Sequence, residues 1–183
     1  IPVFRAMPPT RFAICSHSAS ITAHWSTSGA FFDIAAEAVR AVNPTVEYKG
    51  FHAGGMGAGR AVQQFLEAMK EYKPTDTYLL VVPSPMEAQQ KLMDDMKAAG
   101  SRVFVFDAVK PWGMYSPKLQ EELRKLCADR GATFVELTTR GYGAPGSYKW
   151  TTTDTIHMTT AGHMFYAKEL LKEWGKIYAP ARR

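Results

Sequence analysis

Apolar residues form two kinds of pattern along this chain: short continuous runs, and stripes with three- and four-residue spacing. The runs at residues 12–15, 45–48, 77–82, 102–106 and 133–137 predict five buried strands. The run at 77–82 is almost continuously apolar, which is typical of a strand that is covered on both faces. The runs are therefore expected to form the centre of the fold.

A stripe typical of one helix face follows each run. The stripes contain Phe31, Ala35, Ala38, Val39 and Val42; Val62, Phe65, Leu66 and Met69; Leu92, Met93 and Met96; Leu119, Leu123 and Leu126; and Met164, Ala167, Leu171, Trp174 and Tyr178. Gly100 and Gly131 follow the third and fourth stripes and predict C-terminal helix caps. Thr159 or Thr160 is expected to cap the fifth helix at its N-terminus.

Strands and helices alternate with no repeat and no linker, which predicts a single α/β domain over residues 1–183. The expected architecture is a parallel sheet with helices on both faces, connected by right-handed crossovers. Residues that follow the carboxyl ends of parallel strands gather at one edge of the sheet. We therefore expect the small-residue stretches at 16–20, 50–59 and 83–85 to meet the loop before the last helix there.

An aspartate and a histidine, Asp154 and His157, lie three residues apart in that last loop. Residues at this spacing lie on the same side of one turn of chain. The carboxylate can then accept the Nδ1–H of the imidazole, fix its tautomer and leave Nε2 free as a base. A base of this kind activates a hydroxyl nucleophile, and the serines of the 16–20 stretch are the candidates.

The 50–59 stretch holds five glycines in ten residues, which allows the backbone to approach a ligand closely. One of its N–H groups, together with that of the nucleophile, would form an oxyanion hole. The stretch is not a dinucleotide fingerprint, because Gly55-Met56-Gly57 is followed by Arg60 where a third glycine is required. No histidine pair has the His-Glu-x-x-His spacing, and no metal site is predicted.

Composition narrows the class of protein. Apolar residues make up 46% of the chain and charged residues 21%, as in ordinary soluble proteins. The net charge of +5 comes from scattered Lys and Arg, so no nucleic-acid partner is expected. No apolar run reaches the ~18 residues of a membrane span, and Cys15 and Cys127 are expected to be buried free thiols. The compartment stays open, with a secreted or periplasmic location favoured over a cytoplasmic one, and the oligomeric state is not predicted.

Residues Asp154 to His163 resemble the Asp-x-x-His-Leu-Thr-x-x-Gly-His signature of the SGNH (GDSL-type) hydrolase superfamily. The order of strands and helices resembles that family's along nearly the whole chain. The resemblance implies a flavodoxin-like three-layer α/β/α sandwich with a five-stranded parallel sheet. It also implies an esterase, lipase, thioesterase or carbohydrate O-acetylesterase without a cofactor, in which Asp154 and His157 are the acid and base of a triad.

The first block of the family pattern differs here. Ser16-His17-Ser18 replaces the expected Gly-Asp-Ser and brings Ser18, three residues past Cys15, to the nucleophile position. A rival alignment uses Ser20 as the nucleophile. That alignment would put His17 in the buried register of the first strand, and Ser18 is preferred for this reason.

The other two blocks concern the oxyanion hole. By resemblance the oxyanion glycine is Gly54, with Gly50 and Gly55 as neighbouring alternatives. The third block, Gly-x-Asn-Asp, is replaced by Pro83-Ser84-Pro85-Met86, and Asn43, the one asparagine of the chain, belongs to a distant turn. Loss of one such donor typically lowers the rate ~100- to 1,000-fold. The candidates for a replacement donor are His17, His52 and Ser84.

The sequence thus predicts a serine esterase, with a carbohydrate O-acetylesterase or related small-ester deacylase favoured. Its substrate would be a small-molecule or carbohydrate ester, attacked by Ser18 with His157 and Asp154 as base and orienting acid. An O-acyltransferase would use the same triad. The alternative is a non-catalytic domain of this fold that binds a polysaccharide or a protein, in which Tyr142, Tyr148 and Trp150 would stack on sugar.

Overall fold

In the computed structural model, residues 10–17, 30–53, 58–80, 86–106, 117–136 and 159–178 are described, and within them five strands alternate with five helices. The elements are β1 Arg11–His17, α1 Phe31–Arg40, β2 Glu47–Ala53, α2 Ala58–Tyr72, β3 Asp76–Leu80, α3 Met86–Ala98, β4 Arg102–Phe106, α4 Pro117–Arg130, β5 Thr133–Val135 and α5 Thr160–Tyr178. The predicted alternation of strand and helix is confirmed.

The five strands are parallel and lie in the order β2-β1-β3-β4-β5. This order is the flavodoxin-like one, in which the direction of winding reverses between β1 and β3. Ligands of such sheets bind outside the carboxyl ends of the strands at that reversal. The topology therefore indicates that a ligand site would lie in the loops that follow β1 and its neighbours.

Alternate residues of β1 face two separate cores. Phe12 and Ile14 pack with the buried faces of α1 and α5, whereas Ala13 and Cys15 pack with those of α2, α3 and α4. This two-residue alternation is the geometry of a strand that is covered on both sides. The molecule has three layers, with two helices on one face of the sheet and three on the other, and the predicted α/β/α sandwich is confirmed.

Charged pairs fix the register at the amino edge of the sheet. Arg11 and Glu47 are register partners whose side chains meet at 3.1 Å. Asp76 and Arg102 are also register partners, 2.7 Å apart, and the buried Asp76 carboxylate accepts a further hydrogen bond of 2.8 Å from the Thr75 hydroxyl. Opposite charges directly across two strands favour one pairing over a slipped one.

Both predicted glycine caps are confirmed. Gly100 and Gly131 have positive φ of 83° and 59°. After α3, the N–H groups of Gly100 and Ser101 donate to the carbonyls of Lys97 and Met96 at 2.8 and 3.0 Å. This pair of bonds is the Schellman motif, and the same pattern ends α4.

The first two strands extend further than predicted at their carboxyl ends. β1 continues through His17, so this residue belongs to the strand whichever serine is the nucleophile. β2 starts at Glu47 and runs through Gly50 to Ala53, residues that the glycine content had assigned to a loop. Glycine is disfavoured in strands, but here Gly50 is paired with Ile14, and Phe51 packs against the core that contains Ala13 and Cys15.

The observed core face of α5 differs in part from the predicted stripe. Met164 is 54% exposed, so its assignment to the core was wrong, whereas Ala167 and Trp174 are buried as expected. The predicted Leu171 is partly buried against the same core, which also contains the buried residues His163, Tyr166 and Leu170. At the start of the helix a buried histidine takes the place of an apolar residue, which an apolar count does not select.

Candidate active site

The chain leaves β1 and β2 at adjacent points of one edge. His17 is the register partner of Ala53, and each is the last residue of its strand. Neighbouring strands lie about 4.8 Å apart. The residues that follow His17 and Ala53 therefore start from neighbouring backbone positions.

Helices α1 and α5 both begin at this carboxyl edge. The ring of Phe32, in the first turn of α1, lies 5.4 Å from that of Phe106, the last residue of β4. At the other end, Trp174 near the end of α5 stacks on Phe12 near the start of β1, with 4.8 Å between ring centroids. Helix α5 has 19 residues and is about 28 Å long, so it runs antiparallel to the strands and starts where they end.

Thr159 is the N-cap of α5. Its hydroxyl oxygen accepts the Gly162 N–H at 3.2 Å, and its carbonyl accepts the His163 N–H at 3.0 Å. These are the bonds of a capped first turn. Of the two threonines offered by the sequence, the structure selects Thr159.

His163 links the first turn of α5 to that of α1. Its Nδ1 accepts the backbone N–H of Phe31 at 3.2 Å, and both residues are fully buried. Because Nδ1 acts as an acceptor, the imidazole is the neutral tautomer with its proton on Nε2. Alanine at the N-cap of α1, Ala30, has no side-chain acceptor, so the histidine takes over the capping function.

The two cysteines carry unreactive thiols. Cys15 and Cys127 are free and buried, as predicted. Burial raises the pKa of the Cys15 thiol to about 12 and that of Cys127 to about 11. Since the thiolate is the nucleophilic form, neither side chain can serve as a nucleophile near neutral pH.

The one asparagine is a structural residue far from this edge. Asn43 follows α1 and precedes β2, and its Oδ1 accepts hydrogen bonds from the backbone N–H and the hydroxyl of Thr45 at 3.3 and 2.6 Å. The turn lies at the amino end of β2, opposite the carboxyl edge. Asn43 therefore lies in a turn away from the carboxyl edge, as expected.

The predicted catalytic side chains lie outside the described residues. They are Ser18 and its rival Ser20, the oxyanion glycine Gly54, and the pair Asp154 and His157. The alternatives Gly55 and Ser84 and the loop aromatics Tyr142, Tyr148 and Trp150 also fall there. What the structure describes are the strand and helix ends to which these segments are joined.

Metal-ligand clusters and membrane-spanning helices are both absent from the described ranges. Among those residues, no three His, Cys, Asp or Glu side chains converge as metal ligands would. No helix in the same ranges has both the length and the apolar content of a membrane span.

Comparison with known proteins finds similarity in structure. No family model and no curated protein sequence matches this chain. A lipase/acylhydrolase from Enterococcus faecalis superposes with a TM-score of 0.69 at 9% identity, over 95% of this chain and 100% of that one. The psychrotrophic esterase EstA from Pseudoalteromonas sp., inhibited by monoethylphosphonate, gives 0.72 at 13% identity, over 90% and 98%.

A third solved structure is a catalytic mutant of the acetylxylan esterase Axe2 from Geobacillus stearothermophilus. It gives a TM-score of 0.69 at 11% identity, over 97% of this chain and 100% of that one. At such identities the likeness concerns the fold, and it extends over nearly the full length of every chain compared. This chain has the fold that its resemblance to the SGNH (GDSL-type) hydrolases implies.

Proposed function

We propose that this protein is a serine hydrolase that cleaves carboxylic esters, with Ser18, His157 and Asp154 as its triad. One observation carries the proposal: the described ends next to the segments of Ser18, Gly54 and the Asp154/His157 pair lie at one edge of the sheet. β1 and β2 end there side by side, and α5 begins there.

Chain connectivity limits how far each predicted residue can lie from that edge. Ser18 is bonded to His17 and Gly54 to Ala53, and consecutive Cα atoms are about 3.8 Å apart. His157 precedes the capping residue Thr159 by two positions, a span of at most about 7 Å. A nucleophile, an oxyanion donor and a base are therefore all tethered close to the same edge.

The same tethers favour Ser18 over Ser20. Because His17 lies in β1, its place in the strand gives no preference between Ser18 and Ser20 as the nucleophile. Ser18, however, directly follows the register partner of Ala53, just as Gly54 directly follows Ala53. An oxyanion hole built from the N–H groups of a nucleophile and a glycine requires the two to be neighbours, whereas Ser20 lies three residues beyond the strand.

The reaction would proceed through an acyl-enzyme. Ser18 Oγ attacks the ester carbonyl while His157 Nε2 takes its proton, and the N–H groups of Ser18 and Gly54 stabilise the oxyanion. His157 then returns the proton to the leaving alcohol, and Asp154 holds the imidazole in the required tautomer. Water, deprotonated by His157, attacks the acyl-enzyme and releases the acid and Ser18.

We propose acetyl esters of carbohydrates as the substrate class. The support is the similarity in fold to the acetylxylan esterase, together with the aromatic side chains Tyr142, Tyr148 and Trp150 in the segment before the catalytic pair. Aromatic rings present apolar faces with polar edges, which suits them to sugar rings. The missing asparagine donor predicts a slow enzyme, by ~100- to 1,000-fold, unless another donor replaces it.

The test is turnover of p-nitrophenyl acetate and of acetylated xylan by the wild type and by Ser18→Ala, Ser20→Ala and His157→Ala. We expect the Ser18 and His157 variants to fall to the background rate and the Ser20 variant to keep wild-type turnover. Equal background rates in all four proteins would refute the esterase and favour the sugar-binding alternative, to be checked by binding of deacetylated xylan. Loss of activity in Ser20→Ala but not in Ser18→Ala would identify Ser20 as the nucleophile.

A further inference from the structure

The predicted nucleophile Ser18 and the predicted base His157 lie far apart in sequence, so contacts elsewhere in the fold must hold them at a working distance. A long-range hydrogen bond joins α1 to α5: the Phe31 N–H donates to His163 Nδ1 at 3.2 Å, across 132 residues of sequence. It lies where both helices begin, at the carboxyl edge. His157 is three residues before the start of α5, whereas Ser18 directly follows the last residue of β1, so the predicted base is joined to a helix start and the predicted nucleophile to the sheet.

Aromatic packing surrounds this bond. The His163 ring stacks on that of Phe31 with 6.4 Å between centroids, and the Phe31 ring contacts those of Tyr166 and Phe32 at 5.4 and 4.1 Å. All four residues are buried. Side chains packed in this way have one arrangement, so the bond holds the two helix starts in a fixed relation.

On the α5 side, five residues separate His163 from His157, and those from Thr159 onward form the capped first turn of the helix. His163 donates its own backbone N–H to the Thr159 carbonyl at 3.0 Å, and Thr159 caps the same turn. His157 is two residues before that cap. A displacement of the first turn of α5 is therefore passed on to the base.

We infer that His163 is a positioning residue: its hydrogen bond to the Phe31 N–H fixes the start of α5, and with it the Asp154/His157 pair, relative to α1 and to the edge of the sheet where β1 ends. This inference rests on the proposed function, since it assigns a role in the same triad. An apolar side chain would fill the space but leave the buried N–H without an acceptor, and α1 would shift to solvate it. A displacement of about 1 Å between reacting groups lowers the rate ~100-fold.

Two amide variants separate positioning from polarity and size. In His163→Asn the side-chain oxygen falls near the position of Nδ1 and can accept the Phe31 N–H, whereas in His163→Gln it falls one bond further, near Nε2. We expect the Gln variant to lose ~100-fold in kcat with KM changed less than about twofold, and the Asn variant to recover most of that loss. Leu170→Ala, a core change in the same helix, is the matched control and should keep the wild-type kcat while it is folded.

A second readout does not depend on turnover. Ser18→Cys combined with His157→Cys places two thiols at the ends of the proposed catalytic contact, too far apart for a direct disulfide but within reach of a short bifunctional alkylating reagent, and the buried native cysteines do not compete. We expect this reagent to cross-link the double variant, the cross-linking to be slowed at least ~10-fold when His163→Gln is added, and to recover with His163→Asn.

The outcomes distinguish the two proposals. Rapid cross-linking that is indifferent to both amide variants overturns the positioning role and leaves the triad standing. Absence of cross-linking with His163 intact, together with absence of esterase activity, overturns the triad and with it this inference. Equal kcat in the Asn and Gln variants also contradicts it, because only the Asn variant restores the acceptor.

Discussion

Trp174 is the residue through which α5 docks on the sheet, and its removal gives the most quantitative test of the fold. Its fully buried indole stacks on Phe12 at 4.8 Å and lies against Tyr78 at 5.2 Å, so it contacts both strands that flank the topological reversal. The start of α5 directly follows the segment that contains the predicted Asp154/His157 pair. The substitution Trp174→Ala therefore tests the placement of this helix.

The magnitude follows from the buried surface. An aromatic side chain buries about 150–250 Å², and 200 Å² at about 25 cal/mol per Å² amounts to about 5 kcal/mol. The alanine retains a small part of this area, so we expect the free energy of unfolding to fall by about 4 kcal/mol, within the 3–5 kcal/mol typical of buried aromatic-to-alanine changes. For a chain of this length that corresponds to a melting temperature lower by about 8–16 °C.

The assay is urea and thermal unfolding followed by circular dichroism. Trp174→Phe keeps a ring against Phe12 and should lose only about 1–2 kcal/mol. Met164→Ala, an exposed position on the same helix, should stay within about 0.5 kcal/mol of the wild type. If Trp174→Ala unfolds like Met164→Ala, α5 is not held on the sheet by this side chain and the placement of the helix start is wrong.

Three further predictions follow from described contacts. Thr159→Ala should lower the free energy of unfolding by about 1 kcal/mol through loss of the cap on α5, with Thr159→Ser close to wild type in the same urea assay; an unchanged Ala variant would contradict the cap. Gly100→Ala should destabilise the protein by about 1–2 kcal/mol because the φ of Gly100 is +83°. Gly175→Ala, in a helix with open space around it, should stabilise the protein by about 0.5–1 kcal/mol. Melting temperatures that change in the same direction in both variants would contradict this. Cys15 and Cys127 should react with Ellman's reagent at pH 8 only after unfolding, and rapid labelling of the native protein would refute their burial. Their folded pKa values lie above the ordinary 9.0. The stability that the two thiols contribute should therefore be constant below about pH 9 and fall as the pH rises toward 11–12.

Local patterns determined much of the fold. β4 has the predicted bounds Arg102–Phe106, and Gly100 and Gly131 end their helices as expected, because strand burial and left-handed caps depend on a few neighbouring residues. β2 was misplaced because glycine content favours a loop, whereas pairing with β1 extends the strand through Gly50. Tertiary pairing overrides local preference at such an edge strand.

The sequence proposes a chemistry for the site but gives no sign of the contacts that would support it. Asp154 and His157 remain predictions from their spacing, because both lie outside the described residues. The role of His163 rests on a partner 132 residues away, and no local pattern predicts that contact. For the same reason an apolar count selected Met164 for the core face of α5, where the buried histidine belongs.

The central claim, that Ser18 is a nucleophile activated by His157, is tested most directly by covalent labelling with a fluorophosphonate probe. Such a probe bonds to an activated serine hydroxyl, and the esterase EstA, similar in fold, is inhibited by monoethylphosphonate. The account predicts one label per chain, located on Ser18 by peptide mass spectrometry and lost in Ser18→Ala and His157→Ala. A label on Ser20, or an unlabelled wild-type protein, would contradict it.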